Sequence, residues 1–294
     1  MRMTPIRIFA LISLFALISF LFMFILRPSP IIVYTGIPDF FPRYQKDPYG
    51  NWYFCFPTEI SRAESLWSTS GNLELIEPIL EFHKYKGNII DAGANIGTFS
   101  IPLASKLDGE IYAFEVQRPL AIQLEITAFL NHAQVKVFNT ALGNPEEDGT
   151  AIQLPRLNYY HEAQGGHLGG VSLLPEHMKD REVAFNKQEK KEYDTIQLSN
   201  IDSYHFKDVI FIKVDVEGMD LSVIKGAKST IIENNFPCIL FEGHGNSAGE
   251  IGAYLKQLGY EDPIQSPSLS WDYLAIHKSK KDLFDKIIGG LKNR

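Results

Sequence analysis

A doubly wound α/β fold with a mostly parallel sheet is what this sequence predicts, on three observations. From Glu64 onward, short runs rich in β-branched and aromatic residues alternate with segments of helical apolar spacing. Two of the later runs, "VIFIKVD" and "CILFE", are apolar almost without a break, as strands buried on both faces of a parallel sheet are. The resulting order, βαβαβ and then βαβα, is that of helices covering both faces of one open sheet.

In chain order, "IFALISLFALISFLFMFIL" comes first, from Ile8 to Leu26, with no charge and only Ser13 and Ser19 as polar residues. Its length is close to the ~20 residues a helix needs to cross a bilayer core. "RPSP" follows and offers no small-x-small cleavage site, so the span 8–26 reads as an uncleaved transmembrane anchor behind a short tail, 1–7. Residues 27–58, rich in Pro, Tyr and Phe, read as a stalk that becomes a packed lead-in. One domain then covers 59–278. "NLELIEPILEFHKY" has helical spacing despite Pro78. "NIID", "EIYAFE" and "VKVFN" are strands, and "PLAIQLEITAFLNH" is a helix with Pro119 in its first turn. "LSVIKGAKSTIIENN" and "AGEIGAYLKQLGY" are the helices after the two buried runs, and "WDYLAIHK" is a late strand. Residues 155–192 fit no period and are too long for an idle connection, which suggests a lid or substrate loop. Residues 279–294 are set apart as a C-terminal helix or tail.

The formal net charge of -7 and the pI near 5.6 argue against a nucleic-acid partner, since phosphate binding needs a basic surface. Cys55 and Cys238 are too few for a disulfide framework or a cysteine zinc site, and Cys238 reads as a buried thiol. "GGHLGG" follows no strand and reads as loop. His161, His167 and His177 lack tight metal spacing and read as surface residues, and "KKEYD" and "KSKKD" read as solvated faces.

The chemistry concentrates at "NIIDAGANIGTFS", a glycine turn that follows one strand and opens a helix. It is not the dinucleotide G-x-G-x-x-G, because Asn95 stands at the second glycine position; nor is it a P-loop, because no lysine follows Gly97. Asp91 at the strand end would repel a pyrophosphate and suit an ammonium or sulfonium. Glu115 ends the next strand, near the ~20-residue spacing at which an acid takes ribose hydroxyls. Together they point to S-adenosylmethionine, against the plainer reading of a helix-capping turn with two incidental acids.

"IIDAGANIGTFS", "IYAFEVQRP", "TALGNPEEDGT" and "FIKVDVEGMDLSVIKGA" resemble the FkbM-type methyltransferases of the class I S-adenosylmethionine-dependent superfamily, over roughly residues 60–278. The resemblance implies a Rossmann-like seven-stranded sheet with an antiparallel last strand, and O-methylation. It implies that Asp91, Gly93, Asn95 and Gly97 line the methionine end of the cofactor, that Glu115 binds the ribose, and that Ala141 and Leu142 lie near the adenine. "GGVSL", at Gly169 to Leu173, matches a loop common in the family.

At the reacting end, "KVDVEGMD" and "FEGHG" put Asp215, Glu217, Glu242 and His244 at or just after two strand ends on one sheet edge. Methyl transfer needs alignment and removal of the acceptor's proton. His244 is a credible base, with Asp215 or Glu217 orienting it or acting directly; Asp215 also borders the cofactor. A divalent metal on these groups is a less favoured alternative, and helix capping and loop hydrogen bonds are the plain one. No N/D-P-P-Y run follows the strand, which disfavours N-methylation of bases or amides. The acceptor expected is a small molecule, glycan or lipid with a hydroxyl or carboxyl group. The alternative function is a membrane-anchored methyltransferase-like binding or trafficking module without turnover. Arg2 and Arg7 before the span favour a cytoplasmic N-terminus and a lumenal or extracytoplasmic domain. Arg27 opposes that, as does the cytosolic origin of the cofactor, which leaves the cytosolic side open.

Overall fold

In the computed structural model, residues 43–47, 49–55, 73–148, 151–155, 193–243, 246–267 and 271–292 are described. They lie within one compact unit, Phe40–Arg294. Its elements are β1 (Arg43–Lys46), β2 (Trp52–Cys55), α1 (Leu73–Phe82), β3 (Asn88–Ala92), α2 (Ser100–Ala104), β4 (Ile111–Phe114), α3 (Arg118–Leu130) and β5 (Val135–Phe138). There follow β6 (Ala141–Leu142), α4 (Pro145–Asp148), β7 (Ala151–Pro155), β8 (Tyr193–Ser199), β9 (Val209–Val214), α5 (Asp220–Lys225) and α6 (Lys228–Glu233). The last are β10 (Cys238–Glu242), α7 (Ser247–Gln257), β11 (Ile264–Gln265), β12 (Asp272–Ala275) and α8 (Lys281–Lys292).

The central seven-stranded sheet runs β11-β12-β10-β9-β3-β4-β5. β3, β4, β5, β9 and β10 are parallel, and β12 is antiparallel to both its neighbours. Successive residues of a strand face opposite layers, which is why the central runs are apolar throughout. Ile90, Ile212, Ile239 and Phe241 pack with Val223, Ile224, Ile231, Ile251 and Leu255 on one face. Ile89, Phe211 and Leu240 pack with Leu75, Ile76, Ile79, Leu283 and Ile287 on the other. Each such buried side chain contributes about 1.5–3 kcal/mol relative to exposure.

On α8, within 279–294, Leu283 and Ile287 are buried against α1 and the sheet. Two readings of the sequence change. "KSKKD" is not wholly a solvated face, because Lys280 is buried and its Nζ donates to the carbonyls of Asn235 and Phe236 just beyond α6. The predicted long helix of "LSVIKGAKSTIIENN" breaks at Gly226 into α5 and α6. A Cβ there would stand 2.1 Å from the Gly143 carbonyl oxygen, and Asp202 restarts the helix by accepting from the Ser229 and Thr230 amides.

The lead-in contains a hairpin that the sequence did not show. β1 and β2 pair antiparallel and dock on α3. The Trp52 amide donates to Asn131 Oδ1 at 2.8 Å, and the Phe54 amide donates to Thr127 Oγ1 at 3.2 Å. Tyr53 and Cys55 are buried with Ala94, Ile96, Leu120 and Leu124, so the hairpin supports the glycine turn from below. β6, β8 and β7 form a second, small sheet. Its antiparallel pair ends at Pro155 opposite Tyr193. The segment 156–192, the predicted anchor 8–26, most of the predicted stalk and His244 lie outside the described residues. Among the described residues no helix is long and apolar enough to cross a membrane.

Candidate active site

The parallel strands deliver their ends to one edge, where the predicted site residues gather. After β3 the backbone turns through positive φ at Gly93 (82°), Asn95 (52°) and Gly97 (90°). The sequence suggested that these glycines make room for a ligand; their nearest obligation is internal. A Cβ on Gly93 would stand 1.8 Å from the Asp215 carbonyl oxygen, and one on Gly97 would stand 2.3 Å from Leu124 Cδ1 on α3. The turn is thus pressed between β9 and α3, and only glycine fits both the space and the dihedral angle.

Asn95 tolerates its left-handed conformation because its Oδ1 accepts from the Ile96 amide at 2.8 Å. Its own amide donates to Glu115 Oε2 at 2.9 Å, and the Gln117 amide donates to Oε1 at 2.8 Å. Glu115 is buried, and burial pushes its carboxyl up to about 7 against the pull of those two amides. Each oxygen keeps a second lone pair. The residues present therefore suit a ribose, whose adjacent hydroxyls can donate to one carboxylate.

Asp91 is fully buried. Ser100 Oγ donates to its Oδ2 at 2.6 Å, and Lys213 Nζ lies 3.3 Å from Oδ1. The cation that Asp91 faces within the fold is therefore a lysine, which the sequence reading missed. Lys213 Nζ also lies 3.2 Å from Asp215 Oδ2, donates to the Gly93 carbonyl at 3.2 Å, and stands 5.7 Å above the Phe99 ring. Burial pulls the lysine pKa down, but Asp215 and Asp91 outweigh that and hold it above its usual range. One lysine inside the apolar run "VIFIKVD" was the available signal, and its register partner is Asp91.

Asp215 directly follows β9, with its side chain 44% exposed. Glu217 lies in the next turn at φ 55°, and Glu242 ends β10. The structure adds two acids here. Asp272 opens β12 directly opposite Glu242. Asp220 opens α5, buried at 4% exposure; Oδ2 accepts from the Gly218 amide, and Oδ1 has no hydrogen-bond partner among the described residues. Burial and the charge of Asp215 push Asp220 up to about 8. Burial, then Asp215, Glu217, Asp220 and Asp272, push Glu242 up to about 9. At neutral pH Glu242 therefore holds its proton and can donate a hydrogen bond but not serve as a base. Among the described residues no group of three or more His, Cys, Asp or Glu is placed to hold a metal ion.

Ala141 and Leu142 are both buried. Ala141 packs with Leu198 and Met219, against which Val116 also rests, one residue beyond Glu115. Leu142 belongs to the main core.

A family model described as the methyltransferase FkbM domain matches residues 91–261, from Asp91 at the glycine turn to beyond α7. The chain belongs to the FkbM methyltransferase family. The FkbM class uses S-adenosylmethionine, and the β11-β12-β10-β9-β3-β4-β5 order is its Rossmann-like sheet with the reversed strand β12. A curated relative, the AMB antimetabolite synthetase AmbE of Pseudomonas aeruginosa, is 25% identical over 211 residues. That match takes in 62% of this FkbM chain, which spans only about 10% of the relative's length. Solved structures similar to this chain include a SAM-dependent methyltransferase from Aquifex aeolicus, 14% identical over 69% of this chain and 91% of that one, TM-score 0.37. Another is the magnesium protoporphyrin IX methyltransferase ChlM from Synechocystis PCC 6803 with bound SAM, 7% identical over 74% and 83%, TM-score 0.39.

Proposed function

We propose that this FkbM-family chain transfers a methyl group from S-adenosylmethionine to an oxygen, of a hydroxyl or carboxyl group, on a small-molecule, glycan or lipid acceptor. The observation that carries the reading is the bond from the Asn95 amide to Glu115, which ties the glycine turn to the acid suited to a ribose. When bound, the cofactor supplies a methyl group already activated by its sulfonium. The protein's part is alignment and proton removal. Glu115 accepts the ribose hydroxyls. Lys213 holds Asp91, Asp215 and the Gly93 carbonyl in fixed relation, so the turn and the β9 end move together. Asp215, half-exposed at the edge, takes the acceptor's proton, with His244 as the other base the sequence offers. Glu242, protonated at neutral pH, donates to the acceptor and keeps it in place.

Residues 8–26 hold the enzyme in a membrane by a single pass, with Arg2 and Arg7 on the cytoplasmic side and the domain on the lumenal or extracytoplasmic side. The domain begins at the hairpin near residue 43 and includes α8.

Calorimetry on the full chain in detergent tests the cofactor: S-adenosylhomocysteine should bind, and Glu115→Ala should weaken it by about 1.5–3 kcal/mol, the scale of hydrogen bonds to a charged group. Failure to bind sinks the reading. For topology, the chain has no N-x-S/T site, so one is built into 155–192, as Gln164→Asn with Gly166→Thr. A glycosidase-sensitive mass increase in a eukaryotic host supports the lumenal side; digestion by protease added outside sealed microsomes refutes it.

A further inference from the structure

The amino ends of the parallel strands, opposite the edge that carries the cofactor residues, border a cavity of about 540 Å³. Asn88 opens β3 there, Val209 opens β9, and Pro237 leads into β10. That volume falls within the ~300–1,000 Å³ of small-molecule pockets. Of the charged residues lining the cavity, only Lys280 is buried, at 9% exposure. Lys86 and Asp108 are exposed and pair loosely at 3.8 Å, Lys207 and Glu233 are exposed and pair at 2.7 Å, and Asp208 is exposed. Water screens exposed charges, so the field inside the cavity is set chiefly by the Lys280 ammonium.

Lys280 stands just before α8, and its Nζ donates to the carbonyls of Asn235 and Phe236. Both of those residues turn at φ 56°, a left-handed conformation that is costly for phenylalanine. Among the described residues no carboxylate lies within ion-pair distance of Lys280. The group whose ionised form would favour its charge is the Cys238 thiol, which burial pushes up to about 12. Carbonyl dipoles thus face a charge that is ordinarily paired when buried. An ammonium has three donors, and two are used here. His83, just after α1, lines the same cavity, and its Nε2 is buried without a hydrogen-bond partner among the described residues. Burial, then Lys280, lowers the His83 pKa, so the two groups lie within each other's field. One incoming anion completes both a buried ammonium short of a counter-charge and an imidazole short of a partner.

We propose that this cavity binds the oxyanion group of a small ligand, a phosphate or carboxylate, on the Lys280 ammonium, with His83 and Lys86 as flanking donors. It is a second site, distinct from the cofactor edge. Val209 borders the cavity and Asp215 the active edge, so six residues of extended chain, about 20 Å, separate the two. The inference does not depend on which acceptor is methylated.

The test titrates the full chain in detergent with sodium phosphate, sodium acetate and sodium chloride at constant ionic strength, followed by calorimetry. Phosphate or acetate should bind where chloride does not, and the stronger of the two names the anion. Lys280→Met should weaken that binding at least about tenfold, the scale of a hydrogen bond to a charged group, while S-adenosylhomocysteine affinity holds. Lys86→Ala, at an exposed position that the fold tolerates, should weaken it by about twofold to fivefold and serves if Lys280→Met fails to fold. Saturation with S-adenosylhomocysteine should leave the anion affinity unchanged. An equal response to the three salts overturns the proposal, and so does full phosphate and acetate affinity in Lys280→Met. Displacement of the anion by S-adenosylhomocysteine also overturns it, because the anion then sits at the cofactor edge. Failure of S-adenosylhomocysteine itself to bind removes the methyltransferase reading and leaves the comparison of salts to decide this one.

Discussion

Lys213→Met should unfold this protein more easily than any other single loss of charge at the site. Met fills similar space but leaves Asp91, fully buried, without the ammonium that lies 3.3 Å from its Oδ1. Removing one partner of a buried ion pair costs about 3–5 kcal/mol. Asp215 adds little, because at 44% exposure water can replace the lysine there. The lost bond to the Gly93 carbonyl adds about 1 kcal/mol. At about 2–4 °C per kcal/mol for a domain of this size, a total of about 4–6 kcal/mol should lower the melting point by roughly 8–24 °C. Urea denaturation of the wild type, Lys213→Met, Asp91→Asn and the double variant gives the cycle. The double variant should cost less than the sum of the singles by about 1–3 kcal/mol, since Asn no longer needs the ammonium. A Lys213→Met protein within about 1 kcal/mol of wild type, or strict additivity, would refute the reasoning.

Glu115 titrates at about 7 in the free protein, and only its ionised form accepts both ribose hydroxyls. Affinity for S-adenosylhomocysteine should therefore fall about tenfold per pH unit below that value, and Glu115→Gln should flatten the profile. Calorimetry between pH 5 and pH 8 reads this, and a flat wild-type profile contradicts it. Asp220 is raised in the folded state to about 8, so its contribution to stability is present below the usual carboxyl range and lost as pH rises through about 8. Asp220→Asn should gain stability relative to wild type as pH goes from 5 to 9 in thermal melts; an equal effect at both ends would count against the buried orphan. Gly93→Ala must place a Cβ against the Asp215 carbonyl at φ 82°, so melts should show a fold weakened by at least about 1–3 kcal/mol. A stable variant that had lost only cofactor affinity would restore the ligand-approach reading. Tyr53→Ala, in the cluster under the glycine turn, should cost about 3–5 kcal/mol and also weaken S-adenosylhomocysteine binding; intact binding would show that the hairpin does not support the turn.

The sheet and the cofactor half of the site were legible in the sequence because both are local patterns. A strand buried on two faces must be apolar throughout, so "VIFIKVD" and "CILFE" announced the parallel core. A strand ending in Asp91 before a glycine turn, followed by Glu115 at the next strand end, is a spacing that reads along one chain. Tertiary structure decided what depends on register and burial. Lys213 became the partner of Asp91 only because β3 and β9, far apart in sequence, lie side by side. Asp272 met Glu242 only because β12 runs against β10. The docking of β1 and β2 on α3, and of α8 on α1, also joins segments with no local pattern in common. The protonation states of Glu242 and Asp220 were equally out of reach, since a carboxyl's pKa follows from how much water the fold removes and how many like charges it brings near. A linear sequence records neither quantity.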